Sequence, residues 1–504
     1  MIPIVQNIIK HDASLESTPT HSVSGPSRSI RALVISPTRE LAEQIAQEAR
    51  KVTRNTGIIV QTAVGGTQKY QGLQKIRRGC DILVGTPGRL KDILSNPYQG
   101  VKAPNLSILV LDEADRLLEA GFEEEIREIQ RLLPDKRNVD RQTLLFSATI
   151  SREIMPVVRA TMKPDFKLVR TVQKGEQPTH TKVPQRLAEI GGFENQMPAL
   201  VELCLREMKD STPERPFKAI VFFPTLNEVI LAAQVMRRLS LPSQAEFAEV
   251  GFPSSTKIRE LHSRLDQHHR TAATDAFRGD KSAILLSSDV AARGMDFPGV
   301  THVIQAGLPP NEEQYIHRIG RTARAGQTGE AWLLISDLEK REVRGRLPQM
   351  PLTPDRSLEA AHLRLGSSDP SGRSRVPEAL TDIVSKLQQC LQKLPSDLKD
   401  QAYAGTFGLF PFARRDRLVA TANARAVHAL GFEEPPPVSR RTVLKFRLDG
   451  IPGVRIGEDD LRRPSYPGEG NSQRGWDRGQ VRAPRTGFRD NNRDPRRRPR
   501  ERLY

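Results

Sequence analysis

The sequence predicts an α/β chain with two tandem domains, each a mostly parallel sheet covered by helices, followed by an α-helical extension and a disordered basic tail. Three observations carry this reading. Short β-rich apolar runs alternate with amphipathic helical runs over two successive stretches, the pattern of parallel sheets with crossover helices. The 504 residues are too many for one core, and the 37% apolar content suffices for two. From Asn471 to Tyr504 the chain holds 11 Arg, no Lys and 4 acidic residues among Gly and Pro, a composition that cannot collapse into a core.

The elements follow in order. Residues 1 to 10 read as the end of an apolar helix, and Asp12 to Ser29 lacks periodicity and reads as a surface loop. Strands are expected at Ala32–Ser36, Gly57–Val64, Ile82–Gly85, Ile108–Leu111 and Thr143–Phe146, with amphipathic helices such as Arg39–Asn55 and Glu123–Leu133 between them. Pro164 to Pro184, with scattered Lys, Gln and Thr, breaks the pattern as a linker. A second set of strands is expected at Arg186–Glu189, Ala219–Phe223, Ala283–Ser287, His302–Gln305 and Glu330–Ile335. After Leu347 strand signals fade, and Ala379–Leu394, Asp397–Leu409 and Arg415–Ala429 look helical, an all-α extension to about Phe446. The expected boundaries are 1–170, a linker at 171–184, 185–345, an extension at 346–450 and a tail at 451–504.

A formal charge of +17, concentrated toward the C-terminus, implies an anionic partner. No apolar run is long enough to span a bilayer, so nucleic acid fits better than membrane. Cys80, Cys204 and Cys390 lie far apart without C-x-x-C spacing, so they support neither a disulfide framework nor a zinc site, and the chain reads as intracellular. Met1-Ile2-Pro3-Ile4-Val5 shows no targeting pattern.

Chemistry concentrates at strand ends. In an open parallel sheet ligands bind beyond the carboxyl ends of the strands, where Asp112-Glu113-Ala114-Asp115 follows Ser107–Leu111. One acid can hold Mg²⁺ through water while its neighbour orients and deprotonates an attacking water in phosphoanhydride hydrolysis. An acidic helix N-cap would produce the same four residues.

The company of this tetrad separates the two readings. Pro37-Thr38-Arg39-Glu40-Leu41-Ala42, Gly65-Gly66, Thr86-Pro87-Gly88-Arg89-Leu90, the acidic tetrad and Ser147-Ala148-Thr149 occur in one order, each at the end of an expected strand. This set resembles the first RecA-like domain of the DEAD-box RNA helicases. Residues 219 to 335 resemble the second, through Val221-Phe222-Phe223-Pro224-Thr225, Gln267-His268-His269-Arg270, Ser288-Asp289-Val290-Ala291-Ala292-Arg293-Gly294-Met295-Asp296 and the run from His317 to Gly326.

The resemblance implies an ATP-dependent RNA helicase or RNA chaperone with ATP and Mg²⁺ as cofactors and RNA, bound without regard to sequence, as partner. It implies that Asp112 meets Mg²⁺, that Glu113 is the base, and that Arg321 and Arg324 act as arginine fingers, with Gly294 and Asp296 lining the nucleotide cleft. Asp115, Ser147, Thr149 and His317 would couple hydrolysis to domain closure. Thr38, Arg39, Gly66, Thr86, Gly88 and Arg89 in the first domain, with Arg270, Ser288 and Arg293 in the second, would hold RNA sugar and phosphate. Spacing of i, i+4 and i+7 places His317, Arg321 and Arg324 on one face if all are helical.

The sequence departs from the family in two places. Ser288 stands where Thr is usual, keeping the hydroxyl. No G-x-x-x-x-G-K-[ST] pattern occurs in the 504 residues, and Ile2 to Asn7 resembles the end of the helix that normally follows that loop, so the resemblance places the phosphate loop and the adenine-reading segment upstream of Met1. An RNA-binding chaperone without ATPase activity is the alternative. Gln401-Ala402-Tyr403 through Phe412, Asn423 and Gly431 to Pro436 resemble the helical extension of mitochondrial DEAD-box chaperones that assist intron splicing, which implies a mitochondrial setting; nucleolar members with a similar Ala-Tyr segment are the alternative. Tyr403, Phe407, Phe410 and Phe412 are expected to pack as core rather than stack on bases.

Overall fold

The computed structural model describes residues 1–17, 29–66, 69–119, 121–135, 140–148, 155–171, 183–240, 251–253, 255–291, 294–324, 326–363, 365 and 376–457. The Arg-rich tail and most of the expected linker lie outside these residues.

The first lobe is a five-stranded parallel sheet. Its strands are β1 (Ala32–Ile35), β2 (Val60–Ala63), β3 (Ile82–Gly85), β4 (Ile108–Leu111) and β5 (Gln142–Leu145), in the order β2-β3-β1-β4-β5. Both faces are covered, so β1, β3 and β4 are buried at every residue and read as unbroken apolar runs. Successive side chains serve opposite faces: Leu33, Ile35, Leu109 and Leu111 pack with Leu90, Ile126 and Ile129, whereas Ala32, Val34 and Val110 pack with Ala42, Ala46, Ile4 and Ile8. The N-terminal helix Ile2–His11 thus covers one face. Strand β5 forms the sheet's edge and is only half-buried.

The second lobe holds seven parallel strands. These are β6 (Gln185–Ile190), β7 (Lys218–Phe222), β8 (Lys257–Leu261), β9 (Ala283–Ser287), β10 (His302–Ala306), β11 (Glu330–Ser336) and β12 (Thr353–Asp355), in the order β12-β6-β11-β10-β7-β9-β8. The two outermost strands escape the sequence pattern. In β8 the run Lys-Ile-Arg-Glu-Leu carries charge because an edge strand is half-exposed, and its Arg259 meets Asp280 at 3.0 Å. In β12 Pro354 is tolerated because an edge strand has one unpaired side. Strand signal therefore continues past Leu347, and Arg186 pins the added strand through Asp355 at 2.8 Å.

Helices Glu378–Gln392, Ser396–Leu409 and Arg415–His428 form the extension close to their expected positions. It is not wholly α: Val438–Ser439 (β13) and Ile456–Gly457 (β14) make a short parallel pair around helix Arg440–Phe446. Tyr403, Phe407 and Phe410 are buried and Phe412 packs beside them, as core packing requires. Tyr403 donates its hydroxyl to Asn423 Oδ1 at 2.8 Å, and Phe410 meets Phe193 of the second lobe edge-on at 5.2 Å.

Candidate active site

The register of β1, β4 and β5 sets Ile35, Leu111 and Leu145 side by side, so the chain leaves the sheet at three adjacent points. Asp112 N donates to Ile35 O (3.0 Å), Phe146 N to Leu111 O (2.9 Å) and Ala114 N to Phe146 O (2.9 Å), which draws the acidic tetrad and Ser147 together. Glu113 adopts φ 49°, a left-handed conformation costing a non-glycine residue about 1–2 kcal/mol. The turn lets Asp112 Oδ1 accept from Glu113 N at 3.1 Å. Burial pushes the Asp112 carboxyl above its ordinary range, and the nearby Asp115 charge adds to this, while the Glu113 N–H opposes it. Asp115, fully buried, holds His317 Nε2 at 3.0 Å with Oδ2, joining the tetrad to the second lobe.

His317 belongs to helix Glu312–Ile319, capped by Asn311, whose Oδ1 accepts from Gln314 N at 2.8 Å. The helix ends at Gly320, so Arg321 and Arg324 lie in the turns beyond it and the expected shared helical face does not exist. Their guanidinium groups nevertheless turn back: Arg321 Nε donates to His317 O at 3.2 Å and Arg324 Nε to Gly320 O at 2.9 Å. Ala323 between them has φ 54°. Both arginines meet Met295 O, and Arg324 pairs with Asp296 at 2.9 Å. Gly294 adopts φ 69°, and a Cβ there would collide with Leu41 of the first lobe. Asp296 N donates to Gln44 Oε1 at 3.0 Å, a second crossing between lobes.

The residues expected to hold RNA line strand ends and helix starts. Thr38 caps helix Arg39–Val52 by accepting from Leu41 N at 3.3 Å. Arg39 lies over Gly65 and Gly66, the latter at φ 72°, and donates to Gln267 Oε1 at 3.3 Å. Thr86 precedes helix Pro87–Ser95 with its hydroxyl not used as a cap, and Gly88 faces open space. Arg89 donates to Val64 O at 3.2 Å. Ser288 follows β9 and is half-buried. Arg270 is committed elsewhere: its Nη2 meets Glu40 Oε1 of the first lobe at 2.8 Å, both side chains largely buried. Thr149 and Arg293 lie outside the described residues.

Four partners were not singled out from sequence. Glu40, Gln44 and Gln267 bridge the lobes, and Arg318, fully buried, clamps Asp289 through Nε at 2.9 Å and lies over the Phe222 ring. Gln267 and Arg270 sit three apart on one helix face, a spacing legible in the sequence, but it does not say which residue of the other lobe that face meets.

Residues 1–157 match the DEAD/DEAH box helicase family and residues 196–326 the helicase conserved C-terminal domain. The chain is 46% identical over 493 residues to the "ATP-dependent RNA helicase mss116, mitochondrial" of Aspergillus fumigatus, covering 94% of this chain and 74% of that one. It is 44% identical over 481 residues to the "ATP-dependent RNA helicase cyt-19, mitochondrial" of Neurospora crassa, covering 94% and 73%. A solved structure of Mss116p bound to ssRNA and AMP-PNP superposes with a TM-score of 0.64 at 28% identity, over 84% of this chain and 80% of that chain.

Proposed function

The chain belongs to the DEAD/DEAH box helicase family, and on that premise we propose that it separates short RNA duplexes, without sequence preference, as ATP closes its two lobes, and that it works in mitochondria as an RNA chaperone in intron splicing. The observation that carries the reading is the Asp115–His317 contact, which ties the acidic tetrad of one lobe to the arginine-bearing turn of the other. The mitochondrial setting is supported by the names of the two fungal relatives.

In this reading Glu113 accepts a proton from the water that attacks the γ-phosphorus, the bond to the β-phosphate oxygen breaks, and ADP and phosphate leave. Asp112 fits a magnesium site: its carboxyl is half-buried, its burial and the Asp115 charge both penalise ionisation, and water-bridged Mg²⁺ would supply charge stabilisation there. Arg321 and Arg324, now satisfied by Met295 O and Asp296, turn to the γ-phosphate, while Gly294 and Asp296 wall the cleft. Thr38, Arg39, Gly66, Thr86, Gly88, Arg89, Ser288 and Arg293 grip sugar and phosphate. Arg270 contributes to this grip by holding Glu40, keeping the two halves of the RNA surface together.

The test is RNA-stimulated ATP hydrolysis and separation of a short RNA duplex, by the chain alone and by the chain extended upstream with a G-x-x-x-x-G-K-[ST] segment. Both activities are expected in the extended chain, and Glu113→Gln should abolish turnover while sparing RNA binding. An extended chain that binds RNA without hydrolysing ATP would instead establish the ATPase-deficient chaperone.

A further inference from the structure

The first turn of helix Gln267–Gly279 carries a cluster that hydrolysis and RNA binding do not use. Asp266, its N-cap, accepts from His269 N with Oδ1 and meets His269 Nδ1 with Oδ2, each at 2.8 Å. The His268 ring lies beside that of His269, centroids 5.7 Å apart and planes at 90°. One ligating atom from each of Asp266, His268 and His269 lies within 4.8 Å of the other two, and all three residues are exposed. Among the described residues no other trio of His, Cys, Asp or Glu converges this closely.

We propose that Asp266, His268 and His269 bind a zinc ion, with water completing its coordination. Two imidazoles and one carboxylate suit Zn²⁺ and disfavour Mg²⁺, which prefers oxygen ligands. Tetrahedral ligands at zinc distances lie about 3.4 Å apart, so Asp266 Oδ2 and His269 Nδ1 must part slightly while the His268 ring swings in from within 4.8 Å. Their exposure makes that a matter of side-chain rotation, with no core to disturb. Capping explains Asp266 Oδ1 but not Oδ2, which stands 2.8 Å from His269 Nδ1, so an ion held between these two atoms takes the place of the proton they share. A helix N-terminus repels cations, and the Asp266 charge offsets that. The nearest helix cation, Arg270, is drawn away to Glu40.

The position gives the site a consequence. Gln267 lies between the ligands and Arg270 directly follows them, and these two side chains reach Arg39 and Glu40 of the first lobe. An ion at residues 266–269 stiffens the turn from which the lobes are bridged.

The experiment is calorimetric titration of the full chain with ZnCl₂ in a non-chelating buffer, paired with Co²⁺ absorption as a report of coordination. One saturable equivalent, reversed by EDTA and not displaced by millimolar Mg²⁺, is expected. Asp266→Asn keeps the cap but removes the anionic ligand, and should weaken binding by at least about tenfold. His268→Ala/His269→Ala should eliminate the equivalent while the thermal midpoint in EDTA stays at the parent value. No saturable binding by the parent chain, or an equivalent that survives in the double variant, overturns the proposal.

Discussion

His317 Nε2 lies 3.0 Å from Asp115 Oδ2 across 202 residues of sequence, with both side chains out of water. A buried carboxylate is costly unless something donates to it, so this contact makes the first lobe's acidic loop depend on the second lobe's position. His317→Ala should remove the donor that the second lobe offers Asp115 in the closed state and shift the lobes toward opening. A double-mutant cycle with Asp115→Asn should show a coupling of about 1.5–3 kcal/mol in RNA affinity, the range for hydrogen bonds to charged groups. Additive effects of the two substitutions would show that the contact does not govern closure.

Glu40 and Arg270 make another crossing, with side chains 3% and 12% exposed. Removing one member of a buried pair costs about 3–5 kcal/mol because the other charge is left stranded. Among the described residues Arg270 Nε has no hydrogen-bond partner, which places this pair toward the lower end. Arg270→Ala should therefore weaken RNA binding through closure, and Glu40→Arg combined with Arg270→Glu should recover part of the loss. A direct phosphate contact by Arg270 predicts the opposite, since reversing its charge would then worsen binding whatever stands at residue 40.

The inner strands were legible because burial on both faces leaves only apolar residues in β1, β3 and β4. The edges were not, because β8 and β12 satisfy an exposed side with charge and with Pro354. The same division holds at the site. Asp112 and Glu113 could be placed from local sequence alone, since a strand end fixes them. The crossings from Glu40 to Arg270 and from Gln44 to Asp296 could not, because no local pattern encodes which residues two lobes bring together. Periodicity also failed at Arg321 and Arg324: the helix stops at Gly320, and they reach back to the carbonyls of His317 and Gly320 from a turn.

Arg425 fastens the extension to the second lobe. Its guanidinium meets both oxygens of Glu228 at 2.8 and 2.6 Å, donates to Thr406 Oγ1 at 2.9 Å and lies over Phe193. Arg425→Ala should destabilise the chain by about 3–5 kcal/mol by stranding Glu228. Glu228→Gln combined with Arg425→Met should cost much less, since no charge then remains buried. Chemical denaturation checks both; equal losses in the single and double variants would show that packing, not charge, dominates here.

Asp112 contributes to the pH dependence of the ligand-free chain. Its carboxyl titrates above the ordinary 3.8 because burial penalises the charged form, with the Asp115 charge adding to the effect. For a raised folded value, the stabilising contribution is complete below 3.8 and is lost as pH rises through the folded value, so at neutral pH the ionised group works against folding. Asp112→Asn removes the charge and keeps an oxygen for Glu113 N, which now donates to Asp112 Oδ1 at 3.1 Å. The variant should therefore melt above the parent at neutral pH, and its advantage should shrink as the pH falls toward 3.8. Millimolar Mg²⁺ should narrow the gap from the other side, by stabilising the parent and not the variant. Thermal midpoints across a pH series, with and without Mg²⁺, check all three; a variant that melts below the parent at neutral pH would mean that the Asp112 charge already has a compensating partner in the folded chain.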